Sequence, residues 1–245
     1  MIEPSDIALL AALAFFGALV FGITGFGAGL VTIPLAMHFV PLKFALALYV
    51  LTDLASALRV GLENPGNAVR AEWTRLVPTI LVGSALGVTL LVNLPRAAGM
   101  LLLGLFILLY VSYTQRRKPG QKVVSPWWAW VAGFAGGITS TLFGAGGPPY
   151  AIYLSQRGLT KEQFRATMGF ATMTSISLRA ALFVLTGLLL EASIWLVALF
   201  AVPAALLGIF MAQRLFLRIS REPLMRAVTL LLALSGASLI YRALA

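Results

Sequence analysis

Three charged residues stand out because charge is rare inside the apolar stretches of this sequence. Arg59, Arg179 and Asp53 each lie within a long hydrophobic stretch. A charge at such a depth in a bilayer is costly and usually faces a cavity or a partner. The arginines could bind an anion. Asp53 could carry a proton, or it could be the counter-ion of Arg179 or Arg59. Because Asp53 and Arg59 are six residues apart along one helix, they lie on different faces, which favours a partner on another helix.

Two glycine-rich turns also interrupt hydrophobic stretches. They are residues 22–29 (Gly-Ile-Thr-Gly-Phe-Gly-Ala-Gly) and residues 136–149, which end in Gly-Ala-Gly-Gly-Pro-Pro. Glycine at this density predicts a break in the helix, and in a bilayer a break is tolerated where the freed backbone groups line a cavity. The helices that follow would begin at Ala28–Gly29 and Gly147–Pro149. Their N-terminal N–H groups favour an anion. Alternatively, these glycines only permit close helix contact.

The candidate binding residues therefore combine the two turns with the two arginines. They are Thr24, Gly25, Phe26, Gly27, Ala28, Gly29, Arg59, Ser140, Phe143, Gly144, Ala145, Gly146, Gly147, Pro148 and Arg179. Arg179 is the stronger candidate of the two arginines, since Arg59 is close enough to a basic loop to reach the interface. Asp53 is the candidate for proton coupling.

Composition limits the class of protein and the chemistry open to it. The chain has 245 residues, of which 60% are hydrophobic and 11% charged, and its mean hydropathy is +0.95. These values predict a polytopic membrane protein. A net charge of +10 could suggest nucleic acid, but the basic residues are spread among loops, so we predict no such partner. With no cysteine and one histidine, we predict no metal, no cofactor and no enzymatic activity.

Eight apolar segments can be distinguished. They are, approximately, Ile7–Phe39, Phe44–Leu62, Leu76–Val92, Ala97–Thr114, Trp127–Leu154, Phe164–Leu190, Ile194–Leu215 and Leu224–Leu244. Most are near the ~20 residues that a membrane-spanning helix requires. The first and fifth are longer and contain the glycine turns, so each is predicted to be a pair of half-helices.

The sequence repeats itself across a polar linker. Phe-Gly-Ala-Gly occurs at 26–29 and again at 143–146, and Arg59 falls in step with Arg179. This similarity predicts two homologous halves, residues 1–114 and 126–245, joined by a basic linker at 115–125. Together they would form one transport domain.

Loop charges predict how the halves are oriented. If the first and fifth segments dip into the membrane and return, thirteen Lys and Arg residues lie on one face and three on the other. That asymmetry is typical of a cytoplasmic face. It predicts two inverted repeats, each a re-entrant hairpin plus three transmembrane helices, with both termini outside and the hairpins meeting near the midplane.

The sequence resembles the sulfite exporter TauE/SafE family, also called the four-toluene sulfonate uptake permeases. The resemblance covers essentially the whole chain. It rests on the duplicated Phe-Gly-Ala-Gly turns, the second of them followed by Gly-Pro-Pro, and on Arg-Ala-Thr-Met-Gly-Phe-Ala at 165–171 with Arg179 downstream.

The resemblance implies secondary transport of small sulfur-containing anions: sulfite, thiosulfate, sulfoacetate or other organosulfonates. We therefore expect a multi-pass transporter of the bacterial-type cytoplasmic (inner) membrane that works by alternating access. Its partners would be the anion, lipid and protons as the coupling ion. A passive anion channel and a carrier of non-sulfur organic acids are the alternatives. The anion itself, the direction of transport and the oligomeric state are not predicted.

Overall fold

The described part of the chain is built from α-helices. The structure is a computed structural model that describes residues 4–25, 27–63, 65–116, 123–215 and 221–244. The helices are α1 (Pro4–Thr24), α2 (Ala28–Ala36), α3 (Leu42–Gly61), α4 (Arg70–Asn93), α5 (Arg96–Arg116), α6 (Trp128–Phe143), α7 (Gly147–Leu154), α8 (Lys161–Leu185), α9 (Ala192–Leu215) and α10 (Arg221–Leu244). The predicted all-α architecture is confirmed.

Six described helical stretches are long and apolar enough to cross a bilayer. They are Pro4–Ile23, Leu42–Gly61, Arg70–Asn93, Ala97–Arg116, Lys161–Leu185 and Ala192–Ala212. Large apolar side chains are exposed on their outer surfaces, including Trp195, Leu199, Phe200 and Leu207 of α9. Extended apolar surface of this kind is stable against lipid and not against water. The chain is therefore a multi-pass membrane protein.

Both glycine turns break the helix, as the sequence predicts. Between α1 and α2, Gly25 and Gly27 have φ angles of 82° and 94°. Between α6 and α7, Gly144 has a φ angle of 66°. Residues with a Cβ atom rarely adopt this left-handed conformation, whereas glycine adopts it without steric cost. The break is thus fixed by the backbone at these positions.

The arms of the two broken segments differ in length. α6 and α7 have 16 and 8 residues, which fits the predicted pair of half-helices. α2 has only 9 residues, but α1 has 21 and is long enough to cross a bilayer on its own. The prediction of a half-helix is therefore not met by α1, because its apolar run from Ile7 contains no proline and only a single glycine, Gly17, before the turn at Gly22.

The most extensive helix contacts correspond when the first five helices are exchanged for the last five. α1 packs along α9, and its counterpart α6 packs along α4. α3 packs against α8, and α5 against α10. Glycines make the first two pairs close: a Cβ atom on Gly22 would lie 2.6 Å from Cβ of Ala212, and one on Gly137 would lie 2.5 Å from the carbonyl oxygen of Ile80. Small residues are used in this way at many membrane helix contacts.

The α6–α7 segment enters and leaves at the same end of the bundle. The N–H group of Val124, before α6, donates to the carbonyl oxygen of Gln156, after α7, at 3.1 Å. The Arg157 guanidinium donates to the carbonyl oxygen of Val124. The segment is therefore a hairpin.

The α1–α2 segment also folds back on itself. The Tyr49 hydroxyl, near the start of α3, donates to the carbonyl oxygen of Leu10, near the start of α1, at 3.0 Å. Only a short connection separates α2 from α3. The start of α1 and the end of α2 therefore lie towards the same end of the bundle.

Helix α3 lies at the centre of the bundle. Every residue from Phe44 to Val50 is buried, and the helix contacts α8, α9, α2 and α1. A helix that is apolar all round is typical of such a position. Any polar side chain in its second half therefore needs a partner inside the protein.

Candidate functional site

The two glycine turns meet inside the bundle. A Cβ atom added at Gly29 would overlap the carbonyl group of Gly144, and one added at Gly144 would lie 3.6 Å from Cα of Gly29. Only the absence of side chains at both positions lets the backbones approach so closely. The start of α2 is thus held against the turn that precedes α7.

A small cavity lies between the turns. The space open to the centre of a water molecule is about 20 Å³. Since about 10–15 Å³ by this measure holds one water, the cavity holds one or two waters or a compact ion. Its walls come from both broken segments and from α3 and α8. They are Phe21, Gly27, Ala28, Gly29, Asp53, Ser140, Gly144, Gly146, Gly147, Tyr150, Thr172, Ser175 and Ile176.

A buried ion pair lies at this cavity. Nη2 of Arg179, on α8, donates to Oδ2 of Asp53, on α3, at 2.6 Å. Their side chains are 1% and 5% exposed. Nη1 of Arg179 donates to the carbonyl oxygen of Ser140 at 3.0 Å, so the guanidinium also holds the end of α6. Charges buried this deeply require both a counter-ion and satisfied hydrogen bonds.

Arg179 has one donor without a partner in the part of the chain that the structure describes. Among the described residues, its Nε atom is buried and has no hydrogen-bond partner. A guanidinium offers five N–H donors in a fixed plane, and an unpaired buried donor costs about 1–3 kcal/mol. Arg179 therefore keeps unused capacity for an acceptor.

The remaining polar groups of the cavity are uncharged. Gly146 and Gly147 bring the N-terminus of α7 to the cavity, where unpaired N–H groups and the helix dipole favour negative charge. The Tyr150 hydroxyl donates to Oγ of Ser175 at 3.1 Å. Hydroxyls, backbone N–H groups and one guanidinium are together a donor set for an oxyanion. No group of three or more potential metal ligands occurs among the described residues.

The chain matches the family described as "Sulfite exporter TauE/SafE" over residues 10–239, a range that includes both glycine turns and the ion pair. The chain belongs to this family. It is also 30% identical over 200 residues to the "Probable inner membrane transporter protein TsaS" of Comamonas testosteroni, covering 78% of this chain and 81% of the relative. No solved structure matches the chain. The TauE/SafE resemblance is thus confirmed, and the protein is a membrane transporter of the sulfite exporter type.

The structure brings most of the predicted binding residues of this TauE/SafE protein together. Those that line the cavity are Gly27, Ala28, Gly29, Ser140, Gly144, Gly146 and Gly147, and the candidate for proton coupling, Asp53, lines it as well. Arg179 contacts two of them directly. The alternative that these glycines only permit helix contact does not account for an ion pair at the turn.

Four predicted residues of the turns do not line the cavity: Gly25, Phe143, Ala145 and Pro148. Phe143 instead stacks on Phe106 with ring centroids 5.8 Å apart, and Ala145 is buried in the hydrophobic core. Phe26 lies outside the described residues, and of Thr24 the backbone alone is described. The predicted role of these two residues is therefore not addressed by the geometry.

Arg59, a candidate binding residue, does not lie with the other candidates at the turns. Arg59 is exposed and lies in the last turn of α3, which ends at Gly61. Arg179, its counterpart, has six further helical residues after it, since α8 continues to Leu185. The end of α3 therefore lets the Arg59 side chain leave the bundle.

The sequence reasoning missed the side chains on α8 that share the cavity with Arg179. Thr172, Ser175 and Ile176 precede Arg179 by seven, four and three residues. Residues at this spacing lie on one face of a helix. The sequence therefore contained a pattern that could have placed them beside Arg179. Tyr150, which directly follows Pro148-Pro149, was missed as well.

A second buried charged cluster ties α7 to α4. Glu72, at the start of α4, is 5% exposed. It accepts hydrogen bonds from Arg157 at 2.9 Å, from Arg75 at 3.0 Å and from the Tyr153 hydroxyl. This cluster fixes the outer end of the α6–α7 hairpin and lies outside the cavity. Sequence analysis assigned these residues no role.

Proposed function

We propose that this protein is a secondary transporter that carries small sulfur-containing anions, such as sulfite, thiosulfate, sulfoacetate or other organosulfonates, across the cytoplasmic membrane. The observation that carries the proposal is the fully buried Arg179 guanidinium beside the glycine turn and the N-terminus of α7. The name of the relative from Comamonas testosteroni supports an inner-membrane location.

The cavity suits an oxyanion because its donors replace the water that the ion loses. The first residues of α2 and α7 line it, as do the hydroxyl-bearing residues Ser140, Ser175 and Tyr150. A charge-assisted hydrogen bond contributes about 1.5–3 kcal/mol. Sulfonate, sulfite and thiosulfate each present oxygens around a compact sulfur centre. The candidate binding residues at the two turns, with Arg179, are proposed to hold that centre.

We propose alternating access in preference to a channel because the cavity is small. A sphere of 20 Å³, widened by the roughly 1.4 Å radius of water, has a radius of about 3 Å. An ion of that size would fill it, and a larger sulfonate would need the hairpins to separate. A carrier that opens to one side at a time fits this geometry, whereas a channel requires a continuous path.

We further propose that the two halves, residues 1–114 and 126–245, are inverted repeats with both termini outside. On one face, Glu63 pairs with Arg165, and Glu72 pairs with Arg157. On the other face, Lys43 at the start of α3 donates to the carbonyl oxygen of Val92 at the end of α4. These contacts support the proposal that the two hairpins return to opposite faces, which would make the basic linker at 115–125 cytoplasmic.

Cysteine labelling tests this topology on a chain that has no cysteine of its own. Single cysteines at positions 3, 95 and 191 should react with an impermeant thiol reagent from outside. Those at 68, 120 and 160 should react only after the membrane is opened. Reaction of position 160 from outside would overturn the hairpin arrangement and restore eight full spans.

Proton coupling is the last part of the proposal. Asp53 is the carboxylate at the cavity, and it contacts the arginine that we expect to bind the anion. A group that can lose and regain a proton beside the substrate is the simplest link between a proton gradient and anion movement. How Asp53 would perform this is argued in the next subsection.

Transport assays in proteoliposomes test the function itself. We expect saturable uptake of sulfite, thiosulfate or a small sulfonate, with counterflow, and no counterflow of a carboxylate such as acetate. Flux that does not saturate and shows no counterflow would instead identify a passive channel. Counterflow of acetate in place of the sulfur anions would identify a carrier of organic acids. Recovery of a chemically changed anion would identify an enzyme.

A further inference from the structure

Asp53 and Arg179, the two members of the buried ion pair, differ in whether they line the cavity. Asp53 lines the cavity, whereas Arg179 is not among its lining residues. The carboxylate accepts the hydrogen bond from Nη2 of Arg179 and is therefore the member of the pair that an anion in the cavity meets. In the unloaded protein, Arg179 is already bound to an anion that belongs to the protein.

We propose, on the basis of the proposed function, that Asp53 is an internal competitor of the substrate: the anion reaches Arg179 when Asp53 takes up a proton and releases it. One proton then enters the site with each anion. Before binding, the site holds a carboxylate and a guanidinium. After binding, it holds a carboxylic acid, the guanidinium and the substrate anion. For a singly charged anion both states are neutral, and no charge is added to the buried site.

Electrostatics favours this exchange over simple addition. Two like charges about 4 Å apart repel by roughly 4 kcal/mol at the effective dielectric of a protein surface, and by more when buried. A cavity of about 20 Å³ cannot hold the two anions further apart. A protonated carboxyl group, by contrast, becomes a hydrogen-bond donor, and Ser140, Thr172 and Ser175 line the same cavity as possible acceptors.

None of the described neighbours of Asp53 is a better candidate for exchanging the proton. Arg179 faces it from α8 and stays charged. Tyr49, on the same helix as Asp53, donates its hydroxyl hydrogen to Leu10, and Tyr150, from α7, donates to Ser175. The described lining residues from α1, α2 and α6 carry no titratable side chain. Asp53 is therefore the one carboxyl group among the described residues of the cavity.

Calorimetry on the wild-type protein in detergent provides the direct test. Methanesulfonate and ethanesulfonate are suitable probes because both are singly charged and stay fully ionised between about pH 5 and about pH 8. We expect their dissociation constants to rise about tenfold per pH unit once Asp53 is ionised, which is the linkage of one proton. The dependence of the binding heat on the ionisation heat of the buffer should give one proton taken up per anion.

Asp53→Asn removes the competitor and keeps its shape. This variant should bind the same probes with no pH dependence and no proton uptake, and more tightly than the wild type at about pH 8. Glu63→Gln is the matched control, since it converts a carboxyl group to an amide just beyond the end of α3 and outside the cavity. It should behave like the wild type.

The outcomes separate this inference from the proposed function. Wild-type binding that is independent of pH and takes up no proton would overturn the role of Asp53 and leave anion transport standing. Folded Asp53→Asn protein that no longer binds either probe would mean that Asp53 holds the anion and does not compete with it. If Asp53→Asn does not fold, the number of protons that the wild-type protein takes up per anion still tests the role of Asp53. Absence of any wild-type binding and flux would overturn the proposed function itself.

Discussion

Arg59 and Arg179 occupy matching positions in the two halves of the chain, yet they lie in opposite environments. Arg59 is exposed at the end of α3, and Arg179 is 1% exposed within the bundle. The residue six positions earlier differs as well: it is Asp53 in the first half and Met173 in the second. Asp53 pairs across the bundle with Arg179. Met173 lies against Gly61 and offers Arg59 no counter-ion.

The comparison shows that similar helix contacts can surround different sites. α1 packs on α9 and α6 packs on α4, in both cases closely at glycines. Burying a guanidinium depends on a counter-ion, since an unpaired buried charge costs several kcal/mol. Among the described residues that line the cavity there is one carboxylate, Asp53, and the arginine that it pairs with is the buried one. The described part of the chain thus has a charged pair at the turns and the separate Glu72 cluster outside the cavity.

The largest effect should come from Arg179→Gln, which leaves Asp53 buried without a counter-ion. We expect loss of anion binding and flux, and a decrease of about 3–5 kcal/mol in the free energy of unfolding. Arg59→Gln is the matched control and should change stability by less than about 0.5 kcal/mol, as exposed substitutions usually do. Thermal unfolding and proteoliposome uptake measure both. Equal effects of the two substitutions would remove the distinction between the arginines.

Asp53→Asn should have the next largest effect, and it should affect counterflow and proton-driven accumulation differently. Substrate counterflow should continue, because Arg179 is still present, whereas accumulation driven by a proton gradient should fail. The unliganded protein should be less stable, and bound thiosulfate should raise its Tm more than that of the wild type, since the anion replaces the missing carboxylate. Met173→Leu, at the matching position, should cost less than about 1.5 kcal/mol. Proton-driven accumulation by Asp53→Asn at the wild-type level would remove Asp53 from the coupling step.

Gly29→Ala tests the contact between the two hairpins. The new methyl group would overlap the Gly144 carbonyl, so the turns have to separate, at a cost of about 1–3 kcal/mol. We expect at least a tenfold loss of anion affinity, measured by calorimetry. Gly66→Ala is the control, because a Cβ atom there meets no other atom within 4 Å. Unchanged affinity in Gly29→Ala would mean that the tips do not form the site.

Ser175→Ala should have the smallest effect. It gives α8 the residue that α3 has at the corresponding position. Ser175 corresponds to Ala55 in the first half. The substitution removes the acceptor of the Tyr150 hydroxyl, and a hydrogen bond of this kind contributes about 1 kcal/mol. We expect roughly fivefold weaker anion binding and unchanged proton coupling. A change in the number of protons bound per anion would show that the hydroxyls take part in proton transfer.

The features that depend on local sequence could be predicted from sequence. Helix breaks at Gly25–Gly27 and Gly144 follow from glycine density alone. The partner of Asp53 could not be chosen in advance, because spacing along α3 shows only that it lies on another helix. α1 was predicted to be a half-helix and is longer. Apolar composition alone does not show where within an apolar segment a helix leaves the membrane. Arg59 was included in the site because it falls in step with Arg179, although the predicted segment already ends at Leu62, close to where α3 ends.

The Asp53–Arg179 pair also has a consequence for how the protein is made. The two residues are 126 positions apart in the chain. At about 5–20 residues per second, a ribosome adds Arg179 roughly ten seconds after Asp53. Throughout that interval, α3 holds a carboxyl group in the bilayer without its counter-ion, which on an insertion scale costs about 3 kcal/mol. A nascent chain that stops at the linker keeps this cost permanently. Insertion of α8 thus supplies the counter-ion that Asp53 on α3 lacks. Until α8 is inserted, Asp53 stays unpaired in the membrane.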